Sequence, residues 1–413
     1  MAVYGLIGRT LSHSWSVPIH KALGCREYRL IELEPEELES FLTKEDIGGL
    51  NVTIPYKRDV MPLCAELADS ARRVGSVNTI VPSLRGLCGH NTDLFGFQYA
   101  LRRAGISLSG RKVLILGSGG ASLAAKAAAE SEKAREIVVI SRQGPDNYQN
   151  LSRHRDAEVI INATPVGMSP NNGVLLVDPA DFPHCDGVAD MIYNPLRTAF
   201  LMRAEALALP CTDGLPMLVA QAAAAEELFT RQKGACDKIE AILSDLRQGM
   251  ENIVLIGMPG CGKTTIGKEL AELTGRPLID IDGEIVKAAG CSIEDIFARG
   301  GETEFRRIEQ EQTAFAGRQS GYIIVTGGGV VKTPENYPAL HQNGRIYQIE
   351  RDMALLEREG RPLSLAGNLE AMYRERRPLY EQFRNATVQN NKTPREAAEA
   401  IWRDFLECED TGH

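Results

Sequence analysis

The 413-residue chain lacks the marks of several protein classes. No apolar run approaches the ~18–20 residues needed to span a bilayer. The opening Met1-Ala2-Val3-Tyr4-Gly5 has no basic stretch of the kind that starts a signal peptide. Nine cysteines, an odd number, are scattered singly, with no Cys-x-x-Cys and no His/Cys spacing of a zinc site. Reduced thiols in a cytoplasmic setting are therefore expected. Basic residues are in deficit: 46 Lys and Arg against 55 Asp and Glu leave a net charge of −9. That balance argues against a protein whose main task is non-specific nucleic-acid binding. No repeat of a few tens of residues is visible. The expected partners are small molecules, not nucleic acid or membrane, and a homo-oligomer is left open.

What is present is ordinary globular material, 43% hydrophobic and 24% charged, enough for two or three domains at ~150 residues each. Apolar runs such as Lys112–Leu116, Glu136–Ile140, Glu158–Asn162 and Asn252–Ile256 alternate with amphipathic helical stretches. That alternation indicates an α/β chain with mostly parallel sheets. Two Gly-rich turns, Gly117-Ser-Gly119-Gly120-Ala-Ser122 and Gly257-Met-Pro-Gly260-Cys-Gly262-Lys263-Thr264-Thr265, each follow a strand and open a helix. Lying 140 positions apart, they belong to different nucleotide-binding units. The helical stretch 237–248 stops before Gly249 and a new strand begins near Asn252, so the main boundary is expected at Gly249–Met250.

The second turn fits the P-loop pattern at every fixed position. Its glycines let backbone N–H groups turn toward an anion, Lys263 neutralises the β/γ-phosphates and the Thr264 hydroxyl can ligate Mg²⁺. The next strand ends Ile279-Asp280-Ile-Asp282, and alternate strand residues share a face, so both carboxylates are expected in one cleft. One can serve the magnesium shell and the other a substrate hydroxyl. Arg306 and Glu309 are three apart on a helix and can pair. Gly327-Gly328-Gly329 at a strand end permits close backbone approach to a ligand. Arg358, Arg361 and Arg376 supply cationic groups suited to phosphoryl transfer. Together these motifs resemble shikimate kinase over about 250–408. The resemblance implies a P-loop fold in which Asp282, Arg306, Gly328, Gly329 and Arg376 hold shikimate. Arg306 and Arg376 would clamp its carboxylate, and Asp282 would hold its hydroxyls. Arg361 would be the lid arginine reaching the phosphates, and Thr264 and Asp280 would serve Mg²⁺. The Arg361–Arg376 segment is short for the family, and Ser364 replaces an expected apolar residue.

The first turn suits a pyrophosphate on a helix N-terminus. Ser122 stands where a third Gly or Ala is usual. The following strand ends at Ser141-Arg142, and an arginine there suits a 2′-phosphate, pointing to NADP. Upstream lie Ser14-Trp-Ser16, Asn51-Val-Thr53-Ile-Pro-Tyr-Lys57, Gly75-Ser-Val-Asn78-Thr79 and Asn91-Thr-Asp93. Each reads alone as a cap, a turn or a solvated lysine. What they share is a place near a strand end, where open α/β sheets form their ligand crevice. With Asn162-Ala-Thr164-Pro, Asp190-Met-Ile-Tyr193-Asn-Pro and Gly214-Leu-Pro-Met-Leu-Val-Ala-Gln221, they resemble shikimate dehydrogenase over about 1–249.

That resemblance implies a shikimate pocket of Ser14, Ser16, Thr53, Lys57, Asn78, Asp93, Tyr193 and Gln221. Gly117, Gly119, Gly120, Arg142, Asn162, Thr164 and Gly214 would lie on the NADP side. Lys57 and Asp93 would form the catalytic pair. Lys57 is favoured as general acid/base with Asp93 orienting it, and which of them donates stays open. His13, His20 and His90 adjoin these residues but read more simply as capping or packed histidines.

The implied protein is a bifunctional enzyme that reduces 3-dehydroshikimate with NADPH and phosphorylates shikimate with MgATP. Its expected architecture is a discontinuous substrate domain (1–92 and 204–249), a Rossmann-like cofactor domain (93–203), a three-layer kinase domain (250–408) and a tail (409–413). A ligand sensor decayed from both enzymes would have lost Lys57, Asp93, Lys263 and Asp282; all four are present.

Overall fold

The strand-forming runs sort into three sheets in a computed structural model that describes residues 2–11, 14–25, 27–355 and 369–407. The first sheet contains β1 (Val3–Gly8), β2 (Arg29–Glu32), β3 (Ile47–Val52), β4 (Glu66–Leu67), β5 (Thr79–Ser83) and β6 (Gly86–His90). Their order is β2-β1-β3-β5-β6-β4. β1 runs parallel to β2 and β3, while β3, β5 and β6 are antiparallel. The C-terminal ends of β1 and β3 lie side by side, which brings Leu6 level with Asn51.

The second sheet is wholly parallel: β7 (Lys112–Leu116), β8 (Glu136–Ile140), β9 (Val159–Asn162), β10 (Gly187–Asp190) and β11 (Cys211–Thr212), ordered β11-β10-β9-β7-β8. Strands buried on both faces read as continuous apolar runs. Val113 and Ile115 pack under the helices Asp93–Arg103 and Gly120–Ser131, while Leu114 and Leu116 pack on the other face with Phe200 and Leu201. The chain turns one way from β7 to β8 and the other way to β9, so the crevice beyond their carboxyl ends is a topological switch point. This sheet corrects the expected boundary at residue 203. The helix Ala199–Ala206 is a crossover feeding β11, so the unit cannot close before residue 212.

The third sheet is also parallel: β12 (Asn252–Gly257), β13 (Leu278–Asp280), β14 (Ile323–Val325), β15 (Gly344–Glu350) and β16 (Ala386–Gln389), ordered β13-β14-β12-β15-β16. Val254 and Ile256 face one helical layer, Ile253 and Leu255 the other, giving three layers. The helix Lys263–Thr274 starts at the end of β12 and fixes the P-loop. One strand expectation fails here. β13 stops at Asp280, which caps the helix Ile281–Ala289 by accepting the Asp282 amide at 3.1 Å. Asp282 therefore sits in a first helical turn, because an aspartate followed by a helix former is a better N-cap than a strand residue.

The joint between the second and third sheets is tight. The helix Ile239–Met250 runs through the glycine expected to end it, and only Glu251 separates it from β12. Arg276 donates to the carbonyls of Gln248 and Glu251, holding that last turn. Across the joint, the Leu196 amide donates to buried Asn343 at 2.9 Å, the Arg197 amide to the Gln342 carbonyl at 2.9 Å, and the Arg197 guanidinium to Glu251 at 3.1 Å. A cavity of about 800 Å³ lies along this joint and holds none of the expected site residues. Among the described residues no helix is long and apolar enough to cross a membrane.

Candidate active sites

A cavity of about 240 Å³ opens where the first sheet meets the second. All eight residues expected to form a pocket line it: Ser14, Ser16, Thr53, Lys57, Asn78, Asp93, Tyr193 and Gln221. They converge for identifiable reasons. Thr53 and Lys57 follow β3, and Asn78 precedes β5. Asp93 opens a helix, and Gln221 lies inside the helix Leu215–Thr230. Those two helices cross in close contact because Gly96 has no side chain; a Cβ there would lie 2.6 Å from the Met217 carbonyl. Met217 and Gln221 can thus face the same space as Asp93.

The centre of this site is an ion pair. Lys57 Nζ donates to Asp93 Oδ2 at 2.6 Å, with both side chains largely buried. Asp93 Oδ1 accepts from Asn78 Nδ2 at 2.9 Å. Ser14 Oγ donates to Ser16 Oγ at 3.0 Å. Burial raises the Tyr193 phenol above its ordinary range, so it enters the cavity as a neutral donor. An ammonium held by a carboxylate beside hydroxyl and amide groups can exchange a proton with a bound oxygen and read several hydroxyls.

The Gly-rich turn after β7 adjoins this cavity through Ala121. A Cβ at Gly119 or Gly120 would meet nothing within 4 Å. Both positions are exposed, so the backbone at this helix N-terminus is open to an approaching group. Asn162 and Thr164 shape the neighbouring turn: Asn162 Oδ1 accepts from the Thr164 amide and hydroxyl at 3.0 and 2.7 Å. Asn162 Nδ2 donates to buried Asp190 at 3.0 Å. Burial pushes the Asp190 carboxyl up to about 6. Gly214 lines the cavity itself, pressed against the Met191 carbonyl. Arg142 is exposed at the end of β8.

A second cavity, about 300 Å³, runs from the P-loop to the helix Leu369–Phe383. Gly260, Gly262, Lys263, Thr264 and Thr265 line one end, and Asp282, Arg306, Gly328, Gly329 and Arg376 the other. Gly257 lies behind the loop, where its carbonyl accepts from Lys263 Nζ at 2.9 Å; the Met258 carbonyl accepts at 3.0 Å. Arg306 bonds Glu309 at 2.6 Å, and its guanidinium fills the space a side chain at Gly329 would need. Arg376 donates to the Gly328 carbonyl at 2.9 Å, while its buried Nε has no partner. Two guanidiniums at one end of a cavity suit a carboxylate.

Sequence reasoning passed over part of this wall. Phe297, Phe305 and Met372 form its apolar side. Glu309, the expected partner of Arg306, lines the same cavity fully buried, its carboxyl raised by burial against the opposing pull of Arg306. Arg358 and Arg361 lie outside the described residues, as do His13 and the tail. Asp280 does not line the cavity, its carboxylate being the helix cap. Among the described residues no cluster of three acidic, His or Cys side chains could cage a metal by itself. The Thr264 hydroxyl at the P-loop end of the cavity fits one ligand of Mg²⁺, an ion that keeps waters and phosphate oxygens as its other ligands.

Comparison with known proteins agrees with this division. The shikimate kinase profile matches residues 259–406, and that of the shikimate dehydrogenase substrate binding domain matches residues 6–80. The shikimate dehydrogenase (NADP(+)) of Methanopyrus kandleri is 37% identical over 278 residues, spanning 59% of this chain and 96% of that protein. Among solved structures, a chorismate mutase/shikimate 5-dehydrogenase fusion protein from Clostridium acetobutylicum superimposes with a TM-score of 0.57. It is 35% identical, over 60% of this chain and 98% of its own. Shikimate 5-dehydrogenase from Thermus thermophilus, in complex with NADP(H) and shikimate, gives 0.53 at 29% identity, over 59% of this chain and 99% of its own.

Proposed function

The chain belongs to the shikimate dehydrogenase family through its N-terminal part and carries a shikimate kinase domain behind it, and on that premise we propose that it performs two consecutive reactions on one small acid. The first is reduction of 3-dehydroshikimate to shikimate with NADPH. The second is phosphorylation of the shikimate 3-hydroxyl with MgATP. The observation that carries this reading is that each of two cavities sets side chains suited to a hydroxylated carboxylate beside a Gly-rich turn that opens a helix.

In the first site bound NADPH supplies the hydride. Lys57 gives a proton to the oxygen that was the C3 carbonyl, and Asp93 holds the ammonium in line. Ser14 and Ser16 take the carboxylate end. Thr53, Asn78, Tyr193 and Gln221 read the hydroxyls. Gly117, Gly119, Gly120, Asn162, Thr164 and Gly214 hold or shape the cofactor side, and Arg142 meets the 2′-phosphate.

In the second site MgATP supplies the phosphoryl group. Lys263 would exchange its loop carbonyls for the β/γ-phosphates, and the Thr264 hydroxyl would serve Mg²⁺. Arg306 and Arg376 clamp the carboxylate of the acid, while Gly328 and Gly329 let the ring approach the backbone. Asp282 accepts the hydroxyl proton as the oxygen attacks. Arg361, outside the described residues, would by the resemblance be the lid arginine.

Substrate choice tests the reading. Turnover of shikimate and quinate with NADP⁺ and NAD⁺ is expected to favour shikimate with NADP⁺ at least about ten-fold over each other pairing, since one misplaced polar group costs about that much. Preference for quinate or for NAD⁺ would contradict it.

A further inference from the structure

Beneath the first cavity lies a hydrogen-bonded chain whose outer members, Tyr28, Asn51 and Thr79, have no part in the roles above. Tyr28, buried behind β3, donates its hydroxyl to Asn51 Oδ1 at 2.7 Å. Asn51 Nδ2 faces Thr79 Oγ1 at 3.3 Å. Thr79 Oγ1 donates to Asn78 Oδ1 at 2.9 Å, and Asn78 Nδ2 donates to Asp93 Oδ1 at 2.9 Å. Lys57 closes the other side of the same carboxylate.

The polarity of this chain is dictated at one end. An ionised carboxylate only accepts, so Asn78 must present Nδ2 to Asp93. The Thr92 backbone amide only donates, and it points at Asn78 Oδ1 at 2.7 Å. Both contacts fix the same amide orientation. Thr79 must then donate to Asn78 and accept from Asn51, which leaves Asn51 Oδ1 for a donor. Burial holds the Tyr28 phenol well above its ordinary range, so a donor is what it supplies. Every bond runs toward Asp93, and bonds arranged head to tail polarise one another.

The far end is anchored as firmly. The Tyr28 ring stacks on the His20 imidazole at 3.9 Å and 8°. His20, fully buried, is bonded to Glu226 at 3.0 Å. Glu226 lies on the helix that also carries Gln221.

We propose that Tyr28 is a positioning residue for the dehydrogenase reaction, acting through Asn51, Thr79 and Asn78 to orient the Asp93–Lys57 pair. The proposal rests on the dehydrogenase reading of this site. Tyr28→Phe removes the hydroxyl and keeps the stacked ring. It is expected to lower kcat for shikimate oxidation about five-fold, the worth of one lost hydrogen bond. KM for shikimate should change by less than a factor of about two, and the pH–rate profile should be displaced. Thr79→Val interrupts the same chain at its middle and should reproduce that phenotype. The double variant should lose no more than the worse single variant, as members of one unit do.

Retention of the parent KM for shikimate in the same variants reports that the first site is folded. Wild-type kcat and pH profile in Tyr28→Phe, or losses that multiply in the double variant, would overturn the proposal. A parent chain without any NADP-linked shikimate oxidation would instead refute the underlying reading, and the two failures are separable by that measurement.

Discussion

Lys57→Ala is expected to reduce NADP-linked shikimate oxidation by at least about 10³-fold, within the range for loss of a positioned acid/base plus its orienting partner. The same protein should phosphorylate shikimate at the parent rate. The argument is geometric. Lys57 is the cation within reach of Asp93 on the cavity wall, and its removal leaves a largely buried carboxylate without its counter-charge. Lys57→Arg separates proton transfer from charge. A guanidinium can pair with Asp93 but cannot give up a proton near neutrality, so this variant should remain at least about 10²-fold impaired. If Lys57→Arg restored the parent rate, charge alone would be the contribution and Lys57 would not be the acid. Stopped assays of NADPH formation and of shikimate-dependent ADP formation on one preparation read both activities.

Lys263→Ala is expected to do the reverse, lowering phosphorylation by at least about 10²-fold, the scale for removing one preorganised charge from a developing phosphoryl transition state. Shikimate oxidation should be unchanged. Lys263 is buried in the P-loop with its ammonium resting on the carbonyls of Gly257 and Met258. The loop shape is set mainly by its backbone and by Asn390, which donates to the Cys261 carbonyl at 2.8 Å. Removing the lysine therefore costs charge at the phosphates more than it costs the fold. A variant that still phosphorylated at the parent rate would take Lys263 out of the phosphate site.

The two sites were legible in the sequence to different depths. Residues near strand ends could be placed together before any coordinates, because an open α/β sheet sends those ends to one crevice. That is why Ser14, Thr53, Lys57, Asn78 and Asp93 meet as expected. The alternation Ile-Asp-Ile-Asp predicts a strand through Asp282, and the capping power of Asp280 overrides it.

Gly96 carries no motif, and its importance appears only when two helices separated by more than a hundred residues touch. Tyr28 is likewise silent in sequence, and Thr79 stands in a motif that gives it no role, since a buried hydroxyl gains its meaning from a partner brought near by the sheet. The contacts of Leu196 and Arg197 with Asn343, Gln342 and Glu251 belong to the same class. Interfaces between units leave no local periodicity to read. β11 was missed because two residues are too few to form a pattern.

One measurement tests the central claim most directly. The purified chain is given 3-dehydroshikimate, NADPH and MgATP, and NADPH loss and ADP formation are followed together. The account predicts both signals, in a final ratio of one to one, with ADP formation absent when NADPH is withheld. ADP formation that proceeds without NADPH, or the absence of either signal, would contradict it.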